Sequence, residues 1–356
     1  MNFRPILDVL LSAVLFGLSA PLSKLLLRDA DALVLAGLLY LGAFLGLTLT
    51  ASARRLLRRG PEAISPALTG RDIPWLAGAI LCGGIIGPIA LLLGLQRMSG
   101  FGASLLLNLE GLMTALVAVS FFGEHAGRRL WLALLAMTGA GIFLTWDAGT
   151  GSFAWSGALL ILLAMAAWGA DNNFTRAIAD KDANRIARTK GLAAGLFSLV
   201  LALALGHPLP SWGTAAAGLL LGAFSYGLSL VLYIRGLAGL GAFRAGAFFS
   251  VGPFIGAGAS ILILGESPGW SMAPGTLFMA AGVLVILLER HAHGHRHSRF
   301  THSHPHGHAD GHHSHVHDNP SPGPHAHEHV HEAMDHSHPH RPDIHHRHGH
   351  RRPPGG

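Results

Sequence analysis

FGASLLLNLEGLMTALVAVSFFGE (101–124) finds a gapless counterpart within AFRAGAFFSVGPFIGAGASILILGE (242–266) at an offset of 142 residues. Ala103 meets Ala245, Asn108 meets Ser250, Gly111 meets Pro253, and Gly123-Glu124 meets Gly265-Glu266. Gly94-Leu95 on Gly236-Leu237 extends the match upstream. A second pairing lays FGLSAPLSK (16–24) on WGADNNFTR (168–176). Chance likeness between apolar helices is the competing account. A Gly-Glu pair held in register without gaps argues against it, so the chain reads as a duplication.

A bilayer core needs roughly 20 apolar residues per helix. Ten windows qualify: 5–27, 31–51, 73–95, 101–122, 129–146, 153–175, 187–206, 213–235, 242–264 and 270–289. Turn or charge signals separate them, such as RRLLRRG (54–60), DAGTG (147–151) and DKDANRIARTK (180–190). The expected fold is an all-α polytopic membrane protein with a first repeat over 1–146, a second over 147–289 and a tail over 290–356. Five crossings per half is an odd number, so the second half enters the membrane from the opposite side. That makes an inverted repeat, an architecture associated with secondary transporters.

Composition agrees. The chain of 356 residues is 50% hydrophobic and only 12% charged, where soluble domains carry about 25%. An ordinary soluble enzyme is thereby excluded. The net charge of +6 divides into +5 over 1–289 and +1 over the remainder, with the basic residues in loops. It is a topology signal and not a nucleic-acid footprint. With the N-terminus inside, the inner loops collect 14 Lys and Arg, and the outer loops hold only Lys24, Arg28 and Arg97. Both termini are then expected in the cytoplasm, with the protein in the inner (plasma) membrane. The first window is long and contains Lys24, so it reads as an uncleaved helix. Cys82, the only cysteine, lies in an apolar run and is expected to pack.

Ten windows in two halves, an aromatic-Gly early in each half (Phe16-Gly17, Trp168-Gly169) and a Gly-Glu closing the fourth window of each resemble the EamA-type transporters of the drug/metabolite transporter superfamily. The resemblance covers residues 1–289 and leaves the tail outside. It implies two helical bundles around a central cavity, alternating access and no ATPase.

Ionisable groups within a span are costly and usually face a cavity or a partner. Glu110 lies mid-window beside Asn108 and Gly111. Its repeat counterpart is Ser250 to Pro253. Gly111 and Pro253 are both expected to weaken helix continuity, making pseudo-symmetric cavity walls. Glu110 would bind a cationic group or carry a proton; the plainer account is a packing hydrogen bond. Asp171, Asn172 and Asn173, after Trp168, would form a polar cluster at the inner mouth, unless the helix simply ends there. Trp168, Tyr226 and Tyr233 line the path or only pack. Glu124 and Glu266 are expected to start a helix or anchor a loop. Small-residue spacings such as Gly42/Gly46, Gly83/Gly87, Gly191/Gly195 and Gly218/Gly222 allow close helix approach, and Pro88 is expected to bend its helix.

Residues 291–356 hold 23 of the 25 histidines. Rich also in Pro, Gly and Ser, the tail is expected to be disordered. Its His-x-His spacing aligns imidazoles in an extended chain and suits Zn, Ni, Co or Cu. His302, His304, His306, His308, His312, His313, His315 and His317 are the candidate ligands. A pH-dependent charge, or no role at all, are the competing readings of the tail. The chain is expected to need no cofactor. Its expected partners are the bilayer, a small solute, divalent metal on the tail and, as an option, a second copy of itself. It shows no phosphate-binding loop and no hydrolytic constellation, so it is not expected to be an enzyme. The favoured function is secondary export of metabolites, amino acids or drug-like solutes. Divalent metal efflux (Ni, Co or Zn), with the tail as collector or sensor, is the alternative.

Overall fold

Pro88 has no N–H to give to the helix that contains it. The computed structural model describes residues 4–57, 68–122, 128–147, 152–178, 181–240, 245, 248–270 and 272–287, plus 292–297, 300–306, 325–331 and 334–339 of the tail. Its first unit, Met1–Glu289, is built of helices. In chain order they are α1 (Arg4–Gly17), α2 (Ser19–Leu26), α3 (Ala32–Leu57), α4 (Ile73–Ala79), α5 (Gly87–Leu95), α6 (Gly100–Leu106), α7 (Leu109–Phe122), α8 (Arg128–Thr145), α9 (Trp155–Arg176), α10 (Ala183–Ala204), α11 (Trp212–Leu221), α12 (Ser229–Leu240), α13 (Gly252–Leu264) and α14 (Met272–Leu287). A two-residue strand pair, Trp146–Asp147 with Ser152–Phe153, joins α8 to α9.

Among the described residues, six helical stretches are long and apolar enough to cross a membrane: Arg4–Leu26, Ala32–Ala53, Gly70–Leu95, Gly100–Phe121, Ala183–Ala204 and Trp212–Gly236. Trp131–Thr145, Gly252–Leu264 and Met272–Val285 are apolar but shorter. α9 has 22 residues and carries Asp171, Asn172, Asn173 and Arg176. Six of the ten windows thus coincide with full-length spans among the described residues; the other four contain helices that, as far as they are described, are shorter or carry polar residues. Apolar side chains point outward all round the unit. Leu49, Leu135, Leu262 and Leu277 each expose at least 70% of their surface, which suits hydrocarbon as solvent.

Residues Ile80–Ile86 form a π-helical turn between α4 and α5, and Gly222–Leu228 form another between α11 and α12, 142 residues later. In the first, Gly87 N–H bonds back to Cys82 O. That register would give Gly83 O to the missing N–H of Pro88. The freed carbonyl instead accepts from Tyr40 Oη at 2.5 Å and Trp168 Nε1 at 3.0 Å. A bend at Pro88 was expected; the structure shows a widened turn, and its counterpart at Gly222–Leu228 forms with Leu230 in the place of the proline.

Two further helices are interrupted. The break between α6 and α7 falls at Leu107–Asn108, not at Gly111 as expected. Asn108 Nδ2 bonds Leu105 O at 3.3 Å, competing locally with the helical ladder, whereas Gly111 continues the helix. The counterpart turn at Ser250–Val251 precedes Pro253, which sits in the first turn of α13.

α3 packs on α10 and on the Gly222–Leu228 turn; α10 packs on the Ile80–Ile86 turn. α1 packs on α12 and α13, and α9 packs on α5 and α7. α8 lies against α14, and α6 against α13. The expected small-residue seams are used. Gly42 and Gly222 meet backbone of the facing helix, and Gly46 meets Ala223, so a Cβ on any of the three would collide. Ser12 Oγ donates to Ser229 O at 2.7 Å and Ser225 Oγ to Leu15 O at 2.7 Å, stitching α1 to the second half.

The second unit is Arg290–Gly356. Disorder was expected there, but its described residues form two antiparallel pairs. Ala292–His297 pairs with Met334–Pro339, and Phe300–His306 pairs with His325–His331. Alternating sequence suits extended backbone, and a hairpin-like ladder satisfies main-chain groups without a core.

Candidate intramembrane polar site

Glu110 stands two residues beyond the α6–α7 interruption, partly buried, and does not face lipid alone. Asn172 Nδ2 on α9 donates to Glu110 Oε1 at 2.9 Å and to Thr114 Oγ1 at 3.0 Å. Asn173 Nδ2 donates to Thr114 O at 3.1 Å and Gly169 O at 2.9 Å. The two asparagines thus lock α9 from the second half onto α7 of the first. A side chain on Gly169 would strike Met113 and Thr114, so glycine permits the approach.

Asp171 departs from expectation. It is buried at 8% exposure and faces away from Glu110's amide partner, into an ion pair with Lys190 of α10. Lys190 Nζ reaches both carboxylate oxygens at 2.6 Å, and Thr175 Oγ1 adds a bond to Oδ1 at 2.8 Å. Successive helical residues project about 100° apart, so Asp171 and Asn172 necessarily serve different neighbours. Lys190 was counted among loop residues; it is 5% exposed. No sequence signal marks it, since a lysine at the edge of an apolar window reads the same whether it meets water or a buried group. Tyr40 and Gly83 were missed as well. Gly83 belongs because a Cβ there would overlap Asp171 Oδ2.

Aromatic rings close the site. Phe16 meets Trp168 at 5.6 Å, Tyr226 at 6.3 Å and Phe249 at 5.4 Å between centroids. Tyr40 meets Tyr226 at 5.4 Å and Tyr233 meets Phe249 at 4.7 Å. Trp168 both packs and donates its N–H to the freed carbonyl of the π turn. Asn108 Oδ1 and Ser104 Oγ, one turn apart on the interrupted helix, are buried without a hydrogen-bond partner among the described residues. Such groups are costly unless something polar completes them.

The remaining candidates scatter. Gly111 is exposed, with open space where a Cβ would go. Pro253 is buried in α13 and Ser250 partly buried in the turn before it; neither is brought onto Glu110 by a bond described for it. Glu266 anchors neither its own loop nor the next helix. Its carboxylate accepts from Gly100 N at 2.7 Å and Phe101 N at 2.8 Å, capping α6 in the other half. An open cleft of about 400 Å³ beside it, lined by Lys24, Arg28, Gln96 and Glu266, is separate from the Glu110 group. Glu124 and His125 lie outside the described residues, as do His308, His312, His313, His315 and His317. His302, His304 and His306 lie on one tail strand. His207 pairs with Asp31 at 3.2 Å.

The EamA-like transporter family matches the chain twice, over residues 4–146 and 155–288. An uncharacterised transporter of Methanothermobacter thermautotrophicus is 24% identical over 296 residues, covering 79% of this chain and 85% of its own length. An uncharacterised protein of Pseudomonas aeruginosa is 32% identical over 196 residues, 55% of this chain and 67% of its own. A crystal structure aligns with a TM-score of 0.59 at 17% identity over 80% of this chain and 96% of that one, a likeness of fold alone. Helices apolar enough for a bilayer, an outward apolar face and two family matches in tandem lead to one conclusion: the chain is a multi-pass membrane protein that belongs to the EamA-like transporter family.

Proposed function

We propose that the chain is a secondary active exporter of small organic solutes, built of ten crossings in two inverted halves that work by alternating access. The tandem family matches support this, as do the π turns one repeat apart. The packing supports it further. Exchanging the first five windows with the last five converts the contact of α1 with α12 and α13 into that of α9 with α5 and α7. It likewise converts α3 on the Gly222–Leu228 turn into α10 on the Ile80–Ile86 turn. The α3–α10, α6–α13 and α8–α14 contacts each join counterpart windows, as the same exchange requires.

The observation that carries the reading is Glu110. An intramembrane carboxylate costs about 2.5–3.5 kcal/mol at the centre of a span. Here it sits at a helix interruption, between the halves, held by the amide of Asn172 and within electrostatic reach of Tyr233. Its role is to take the ammonium or other cationic group of the solute, or a proton in exchange. Asn108, Trp168, Asn172 and Asn173 frame that site, and Ser250 and Pro253 form the pseudo-symmetric wall. Both termini face the cytoplasm on the count of loop Lys and Arg.

The tail is proposed to collect divalent metal. Its register sets His302 opposite His329, His304 opposite His327 and His306 opposite His325. Among the described residues no group of three or more His, Cys, Asp or Glu comes together, so the metal reading rests on the His-x-His sequence and on this register. The test is transport in proteoliposomes of the full chain and of a chain ending at Glu289, with labelled amino acids, cationic dyes and metals as solutes. Organic-solute flux that survives truncation and falls with Glu110→Gln supports the reading. Flux of metal alone, lost with the tail, would replace it by metal efflux.

A further inference from the structure

We propose that Lys190 determines the charge of the solute this protein accepts, by cancelling Asp171 and leaving Glu110 as the one unbalanced charge of the polar site. The inference rests on Glu110 as the solute-binding group.

The charges in question form one set. Lys190 reaches both oxygens of Asp171 at 2.6 Å, and both residues act electrostatically on Glu110. Asn172, next in the chain after Asp171, bonds Glu110 directly. Two carboxylates and one ammonium therefore lie on α7, α9 and α10, linked through Asn172 and Asp171 of α9. Their sum is one negative charge when Glu110 is ionised.

Stability does not account for the pair. A buried ion pair contributes little net stability, because desolvating two ions offsets their attraction; replacing one by apolar residues is often neutral or stabilising. Each helix of the pair is packed elsewhere: Gly191 and Gly195 bring α10 against Tyr40, Leu41 and Phe44 of α3, and Gly87 of α5 meets the Trp168 ring of α9. The fold nevertheless shapes itself around the pair. Gly83 leaves the space that Asp171 Oδ2 fills, and its own carbonyl accepts from Tyr40 and Trp168. The bonds of Lys190 go to the two oxygens of Asp171. In a medium of low dielectric an uncancelled charge acts over many ångströms. A site of net minus one then favours a singly charged cation and disfavours a doubly charged one, whose second charge stays desolvated and unmatched.

Two opposite substitutions test this on the full-length protein in proteoliposomes at fixed pH 8. Lys190→Gln makes the site one charge more negative; Asp171→Asn makes it one charge more positive. The probes are tetraphenylphosphonium, a permanent monocation, and methyl viologen, a permanent dication, and the readout is the ratio of their initial fluxes. Wild type is expected to favour the monocation. Lys190→Gln should shift the ratio toward the dication by about tenfold or more. Asp171→Asn should lower monocation flux at least as much without raising dication flux, and Lys190→Arg should keep the wild-type ratio. Should Lys190→Gln fail to fold, Asp171→Asn and Lys190→Arg still decide the matter. An unchanged ratio in Lys190→Gln, or an unchanged monocation flux in Asp171→Asn, overturns the assignment to Lys190. A wild type that carries neutral solutes but neither cation overturns the cation reading of Glu110 instead.

Discussion

Glu110→Gln keeps the amide bond from Asn172 within reach while removing the charge. A hydrogen bond to a charged group is worth about 1.5–3 kcal/mol, so solute affinity should fall on the order of ten- to a hundredfold, read as a raised half-saturation concentration in vesicle uptake. Gly83 and Gly111 make a contrasting pair. Alanine at 83 would overlap Asp171 Oδ2, and overpacking of this kind costs about 1–3 kcal/mol, visible as a lowered unfolding temperature in detergent. Alanine at 111 meets open space in a helix interior and should stabilise by about 0.5–1 kcal/mol. A fall in flux without a fall in stability for Gly111→Ala would mark that opening as part of the solute path. Glu110 was legible in the sequence because a carboxylate amid apolar residues needs a reason. Lys190 was not, because a lysine near a window's edge looks the same whether it reaches water or a buried aspartate.

Helix ends and interruptions carry the next level. Glu266 satisfies two amides that α6 cannot bond internally, and Gly265, at φ 67, ends α13 in the left-handed conformation that aims the chain there. Lys24 Nζ does the complementary work, donating to Leu95 O at 2.9 Å and to Met98 O at the other end of the same connection. Glu266→Ala removes both bonds and should cost about 0.5–2 kcal/mol in thermal unfolding, with Glu266→Gln recovering part of it. Unchanged stability in both would mean that solvent or neighbouring residues replace the cap. The repeat in Gly123-Glu124 and Gly265-Glu266 was plain in the sequence; the partner of Glu266, more than 160 residues away, was not. Pro88 was plain in the sequence; the donors that meet the nearby Gly83 carbonyl, Tyr40 and Trp168, come from neighbouring helices.

For the whole molecule, the two units divide the chemistry. A chain ending at Glu289 should keep its organic-solute flux and lose most divalent metal binding in calorimetry; loss of solute flux on truncation would tie the tail to transport. Reporter tags at Met1 and at the C-terminus should both read out on the cytoplasmic face, and opposite faces would overturn an even number of crossings. Residue pattern alone decided the membrane as solvent, the duplication, the approximate helix windows and the histidine tail, because hydrophobicity and periodicity are local quantities summed along the chain. Which charge answers which was decided only by the fold. Asp171 turns to Lys190 and Asn172 to Glu110 because neighbouring residues on one helix point to different partners, and those partners come from helices that only tertiary packing brings alongside.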